Sequence, residues 1–151
     1  MGAGEYLHDL RAVVGQRPLI VAGACVIVRD ADGRVLLQRR RDDRTWDVTG
    51  GSMEPGETFE QTVRREAREE IGVELGALEL LELYSGPEFF HTYPNGDQVY
   101  HVGAAFQTRE VHGTPTADQH EVEEVDFFAL DALPIPLKES ARHHLDRLRT
   151  K

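Results

Sequence analysis

Apolar and polar positions along the chain fall into stretches with two different periods. Leu19 to Val28 is a mainly apolar run rich in Val and Ile, the pattern of a buried strand. Asp30-Ala31-Asp32-Gly33 follows as a turn signal, and Arg34 to Gln38 reads as the returning strand of a hairpin. From Thr58 to Ile71 the period changes. Phe59, Val63, Ala67 and Ile71 recur every four residues and form the core stripe of a helix. Thr58 with Gln61 fits a capping box, and Gly72 fits the left-handed position after the last turn. Leu78 to Tyr84 and Phe89 to Tyr93 read as strands. Pro94-Asn95-Gly96-Asp97 reads as a tight turn into a longer strand, Gln98 to Thr108, and Val122 to Leu130 as one more strand. A short helix over 5–14, stopped by Gly15 and Pro18, opens the chain, and another over 137–148, after Pro134 and Pro136, closes it. Strands interleaved with two or three helices predict an α/β fold with a sheet packed between helices. With no repeat, low-complexity tract or linker, residues 1–151 are expected to form a single domain whose core is 19–133.

Composition narrows the function classes. The chain has 151 residues, 40% hydrophobic and 29% charged, ordinary values for a globular protein. No stretch is long and apolar enough to span a bilayer, and the first residues lack the apolar core of a signal peptide. The single cysteine, Cys25, excludes an internal disulfide and a cysteine-based zinc cluster. A cytoplasmic protein is the expectation. The formal net charge of −10, from 17 Lys plus Arg against 27 Asp plus Glu, repels nucleic-acid polymers and anionic membranes, so neither is an expected partner. A small phosphate-bearing ligand would be repelled too unless cations mediate its binding.

The stretch from Gly51 to Val73 carries the chemistry. Glu66, Glu69 and Glu70 stand at i, i+3 and i+4, so their carboxylates share one helical face. At about 100° per residue, Glu70 falls inside the angular span of the apolar stripe and Glu66 at its margin. Acidic residues at this spacing usually mark a solvated helix face, but like charges beside a core are unfavourable unless a partner neutralises them. A hard divalent cation, which takes oxygen ligands, does so. The glycine-rich loop Gly50 to Gly56 precedes the helix and can bring backbone amides and carbonyls close to a ligand.

The segment resembles the Nudix box at every fixed position, filled by Gly51, Glu57, Arg65, Glu66, Ala67, Glu69, Glu70, Gly72 and Val73. Trp46 with Gly50-Gly51 is similar to the family's Trp-X-X-Pro-Gly-Gly lead-in, with Thr49 in place of the proline, and Glu121 to Phe128 is similar to the family's late Glu-then-aromatic strand. The resemblance implies a Nudix-type α/β/α sandwich with a mixed β-sheet. It implies that Glu66, Glu69 and Glu70 bind Mg²⁺ or Mn²⁺, with the Gly51 carbonyl adding a ligand, while Glu57 and Arg65 fix the loop against the helix. Gly50 and Glu54 in the loop are expected to face the substrate.

The implied reaction is hydrolysis of the pyrophosphate bond of a nucleoside diphosphate joined to another group. A water attacks phosphorus in line after a general base takes its proton. Glu66 is the first candidate base within the box and Glu121 outside it, with Asp118 behind; Glu121, Glu123 and Glu124 are equally open to a reading as exposed acids. Pro87, near the distance at which a proline follows the box in ADP-ribose pyrophosphatases, points toward ADP-ribose or another nucleotide sugar. A nucleoside triphosphate, oxidised ones included, is the alternative. A non-catalytic nucleotide sensor with the same fold is the reading from another class, and a homodimer is expected from many relatives. Among side chains outside the box, His143 and His144 read as surface residues and Cys25 as a buried strand residue. Phe89, Phe90, Tyr93 and Tyr100 read as core, with stacking on a base as the other option.

Overall fold

A computed structural model describes residues 3–150. Its elements run α1 (Ala3–Val14), β1 (Leu19–Val28), β2 (Val35–Arg40), β3 (Trp46–Asp47), β4 (Thr49–Ser52), α2 (Phe59–Ile71), β5 (Glu74–Leu75), β6 (Glu79–Tyr84), a 3-10 turn at Pro87–Phe89, β7 (Phe90–Thr92), β8 (Gln98–Thr108), β9 (Val111–His112), β10 (Val122–Phe128) and α3 (Glu139–Thr150). None of the described helices is long and apolar enough to cross a membrane.

The apolar run of β1 is central because both of its faces are covered. Ala24, Val26 and Val28 point toward α2 and join Val63, Ala67 and Ile71 in one core cluster. Cys25 and Ile27 point the other way and join Ala141, Leu145 and Leu148 of α3 in a second. Alternation with period two thus serves two helices at once, which is the α/β/α layering. Each fully buried Val or Ile contributes about 1.5–3 kcal/mol to holding the layers together.

The main sheet has the order β4-β1-β8-β6, with β7 pairing β8. It is mixed, since β1 and β8 run parallel while β1–β4, β6–β8 and β7–β8 are antiparallel. A second sheet, β10-β2-β3, and a two-stranded pair, β5-β9, complete the set. Around the turn after β7, the Tyr93 N–H donates to the Asp97 carbonyl at 2.8 Å and the Gly96 amide donates to Tyr93 at 2.8 Å, as its sequence predicts. The capping box on α2 is formed by both bonds between Thr58 and Gln61, and Gly72 closes the helix at φ 67°.

The expected hairpin between β1 and β2 is corrected. The turn exists, with Asp30 N–H donating to Arg34 at 3.0 Å, but the pairing ends at a single bridge, Arg29 to Val35. Beyond it β2 leaves for β10 and β3. A local turn signal sets the reversal of the chain, whereas the partner is chosen by which core each face can join. Leu36 packs on the α2 side and Val35 and Leu37 on the α3 side, so β2 also needs burial on both faces.

Candidate active site

α2 enters the core carrying two acids. Glu66 is 8% and Glu70 1% exposed, beside the fully buried Val63, Ala67 and Ile71. Glu69, one step round the helix, is exposed, its side chain at 54%. The sequence placed Glu70 within the apolar stripe, and there it lies.

Each buried acid has a specific set of partners. One Glu70 oxygen accepts the Gly50 N–H at 3.1 Å, and the other accepts from Arg40 at 3.2 Å. Burial nevertheless pushes the Glu70 carboxyl well above the ordinary carboxylate range, with Glu66 adding repulsion and Arg40 and the Gly50 amide opposing. Glu66 accepts from Arg65 at 2.8 Å, yet burial pushes its carboxyl up to about 7, against the pull of Arg65 and with Glu69 and Glu121 adding to the rise. Two acids that resist ionisation side by side in a cleft are the electrostatic mark of a site that takes a cation.

The glycines give that face its space. A Cβ on Gly51 would fall 2.5 Å from Glu66 Oε1, and a Cβ on Gly23 would fall 2.6 Å from the Gly51 carbonyl oxygen. At Gly23 the clash is with backbone and only glycine fits, whereas at Gly51 a side chain would have to push the Glu66 carboxylate aside, so the Glu66 carboxylate lies directly against Gly51. Gly23 was not singled out from the sequence, because its role comes from the antiparallel register that sets Gly23 opposite Ser52.

Arg65 braces the site. Its Nε and Nη2 donate to the two oxygens of Glu57 at 2.7 and 2.9 Å, and Nη2 also donates to the Ser52 carbonyl at 2.9 Å. Glu57 additionally accepts from the Glu54 amide at 2.8 Å and the Thr62 hydroxyl at 3.0 Å. The Arg65 hydrogen bonds lower the Glu57 carboxyl to about 2. Loop and helix are thereby tied by a two-pronged, charge-assisted pair.

The remaining expected residues divide. Glu121 lies on the cleft wall with Arg40, whose Nη2 is 4.0 Å away, and its side chain is 63% exposed. Asp118 spends one oxygen on the amides of His120, Glu121 and Val122, at 3.0 to 3.1 Å, so it shapes the loop that carries Glu121. Gly50 lines the cleft, but its amide is engaged by Glu70. Glu54 stands 3.4 Å from Arg65, outside the residues lining the cleft, which departs from its expected place facing the substrate. Thr49, in the position of the family's proline, is buried and donates to Gln38 at 3.0 Å.

Among the described residues, no three His, Cys, Asp or Glu side chains gather closely enough to hold a metal ion as they stand. The arginines explain this. Arg65 reaches Glu66 and also Glu69, at 3.4 Å, and Arg40 reaches Glu70, so guanidinium groups occupy the carboxylates. The donor set still fits a hard divalent cation. It consists of carboxylate oxygens and one backbone carbonyl, with acids whose ionised form burial disfavours. The site is therefore one where a divalent cation would displace a proton or an arginine contact.

The face opens into a cleft of about 1150 Å³, large enough for a nucleotide. Its lining includes Gly23 and Cys25 of β1, Glu66, Glu69 and Glu70 of α2, and Asp47, His91, Tyr93 and Lys138. Arg40, Asp47 and Lys138 were missed from the sequence, since no motif marks them. The reading of His144 as a surface residue is corrected: it is 3% exposed and its Nδ1 lies 2.8 Å from Glu82. His143 meets the same Glu82 at 3.4 Å. Phe89 packs between Tyr84 and His144 in the core, whereas Phe90 and Tyr100 face each other on the open sheet surface, ring centres 4.9 Å apart.

Comparison with known proteins fits this geometry. A family model described as the NUDIX domain matches residues 19–148. The NAD-capped RNA hydrolase NudC of Pseudomonas aeruginosa is 35% identical over 133 residues, covering 86% of this chain and 44% of that protein. The nucleoside triphosphatase NudI of Escherichia coli K12 is 34% identical over 90 residues, 54% of this chain and 63% of that protein. The chain thus spans about half the length of these curated relatives. Among solved structures, the MutT NUDIX hydrolase of Burkholderia pseudomallei superposes with a TM-score of 0.75 at 28% identity, covering 86% of this chain and 98% of that one.

Proposed function

The chain belongs to the Nudix family, and from that premise we propose that it is a pyrophosphohydrolase acting on a nucleoside diphosphate joined to another group. The observation that carries this reading is the pair Glu66 and Glu70, buried on one face of α2 against Gly51, with both carboxyls raised above their ordinary range. Glu66, Glu69, Glu70 and the Gly51 carbonyl are the proposed holders of Mg²⁺ or Mn²⁺. A divalent cation bound there supplies neutralisation of the charge that develops on the pyrophosphate.

The chain's own residues do the rest. Glu57 and Arg65 hold the loop so that Gly51 stays against Glu66, while the Gly50 amide aims Glu70. Arg40, which reaches Glu70 from the neighbouring sheet, is the cation placed to meet a phosphate oxygen once Glu70 turns to a metal. Glu121 is the proposed base. It sits on the cleft wall, and its one close cation among the described residues, Arg40 at 4.0 Å, leaves its oxygens open to accept a proton from the attacking water. Glu66 is the alternative base inside the box.

Two readings of the joined group stand. A nucleoside triphosphate is favoured by the likeness to the nucleoside triphosphatase NudI. ADP-ribose or another nucleotide sugar is favoured by Pro87, which starts the 3-10 turn that carries Phe89 to the cleft. Product release from ADP-ribose, other nucleotide sugars, dinucleoside polyphosphates and nucleoside triphosphates, with Mg²⁺ or EDTA, tests the proposal and chooses between them. Turnover that needs the metal and is lost in Glu70→Gln supports it. Nucleotide binding without turnover on any of these substrates would sink it in favour of a sensor.

A further inference from the structure

We propose, resting on the nucleotide reading above, that Asp47 and Lys138 read the base of the substrate and select a guanine-type edge. The two residues are far apart in sequence, on β3 and just before α3. Backbone contacts bring them together: Trp46 bridges Leu137 in parallel register, Trp46 N–H donates to Pro136 at 2.9 Å, and Lys138 N–H donates to Trp46 at 2.9 Å. The backbones of the two residues are therefore held side by side by main-chain bonds.

Within that frame, Asp47 Oδ1 accepts the Val48 N–H at 2.8 Å. Its Oδ2 stands 3.8 Å from Lys138 Nζ, with side chains 19% and 23% exposed, too far for a direct hydrogen bond. A half-buried ion pair without direct contact is a weak stabiliser of a fold. As a receptor for a ligand it is well made, since a carboxylate with one oxygen given to the Val48 amide and the other not directly bonded to Lys138 stands beside an ammonium donor. Burial holds the Asp47 carboxyl above its ordinary range, with Lys138 the leading opposing influence; N–H donors from a ligand would relieve that burial.

Position makes the ligand a base. Asp47 and Lys138 line the same cleft as Glu66 and Glu70, and the backbone from Asp47 to Gly51, largely strand, spans at most ~13 Å at about 3.3 Å per residue. Neither residue belongs to the acidic face of α2 proposed to hold the cation. His91 and Tyr93, in edge-to-face contact at 4.5 Å, and His101, 3.3 Å from the Tyr93 hydroxyl, supply flat surfaces in the same cleft.

The order of groups on the base decides which one fits. Guanine presents a carbonyl acceptor beside two N–H donors. Lys138 donates to the carbonyl while the Asp47 carboxylate accepts from the N–H groups, and all members are satisfied. Adenine presents one amino donor beside a ring nitrogen whose lone pair would face the second carboxylate oxygen. Hypoxanthine keeps the carbonyl and ring N–H but lacks the amino group, so it ranks between them.

Equilibrium binding of GDP, IDP and ADP in the presence of Mg²⁺ tests this on the wild-type protein. GDP is expected to bind roughly ten- to a hundredfold tighter than ADP, with IDP between. In Asp47→Asn the GDP-to-ADP preference should fall to about one, and Lys138→Met should lose GDP affinity, each checked for native thermal unfolding. ADP binding as tightly as GDP to the wild type, or an unchanged preference in both folded variants, would overturn the assignment. Because binding is read separately from turnover, guanine-selective binding without hydrolysis would sink the proposed reaction alone, and hydrolysis without base preference would sink this inference alone.

Discussion

Arg65 stands between two neighbourhoods of carboxylates. On the loop side Glu57, 15% exposed, receives both prongs of the guanidinium, the Glu54 amide and the Thr62 hydroxyl. On the cleft side the Glu66 side chain, 10% exposed, receives one prong and faces Glu69, Glu70 and Glu121. The hydrogen bonds from Arg65 carry the first carboxyl down to about 2, and burial among acids carries the second up to about 7. The outcomes are opposite because on Glu57 the hydrogen bonds from Arg65 outweigh burial, whereas on Glu66 burial outweighs Arg65, with Glu69 and Glu121 adding to the rise. The loop side is finished as a structural joint. The cleft side is left in deficit, and a cation bound there relieves it.

The largest effect should come from removing the charge of Glu70. Glu70→Gln is expected to lower kcat by about 10³-fold, the scale of losing a central electrostatic element, while the thermal unfolding temperature in EDTA does not fall. A variant that loses both activity and stability would mean that the two neighbourhoods are alike. Breaking the loop side should do the reverse. Arg65→Ala is expected to cost about 3 kcal/mol of stability, since it leaves Glu57 and Glu66 without their main donor, measured by urea unfolding of the metal-free protein.

The pH dependence separates the two sides by sign. Glu57 has a folded pKa below its ordinary 4.5, so its contribution is present above that pH and is lost as pH falls toward about 2. Glu66 has a folded pKa raised to about 7. Between 4.5 and 7 the folded chain binds more protons than the unfolded one, and metal-free stability declines as pH rises through that window. Thermal unfolding in EDTA across pH 4 to 8 should show that decline, and Mg²⁺ should remove it. The smallest effect concerns the floor of the loop. Thr49→Val should cost about 1 kcal/mol, because Gln38, whose Nε2 is already buried without a partner, would lose the bond to its Oε1 as well.

How much of this could be read in advance follows the range of the interactions. The stripe and both caps of α2, the turn at 94–97 and the bounds of β8 depend on neighbours in sequence, and they stand where the pattern set them. The burial of Glu70 was legible for the same reason, from its angle on the helix. Partners distant in sequence were not. The exit of β2 into a second sheet, the two-residue strands β3, β5 and β9, and the burial of His144 against Glu82 each depend on a surface that exists only after folding. Asp47 and Lys138 belong to this group. Their identities suggest nothing, and only the bridge from Trp46 to Leu137 gives them a common address.

The central claim is that Glu66 and Glu70 hold a divalent cation in exchange for a proton. Calorimetric titration of Mn²⁺ into the wild type and Glu70→Gln at pH 6.5, in two buffers of different ionisation enthalpy, tests it directly. Binding with proton release is expected in the wild type, and at least roughly tenfold weaker binding in the variant. Equal affinity in the two proteins, or binding with no proton released, would contradict it.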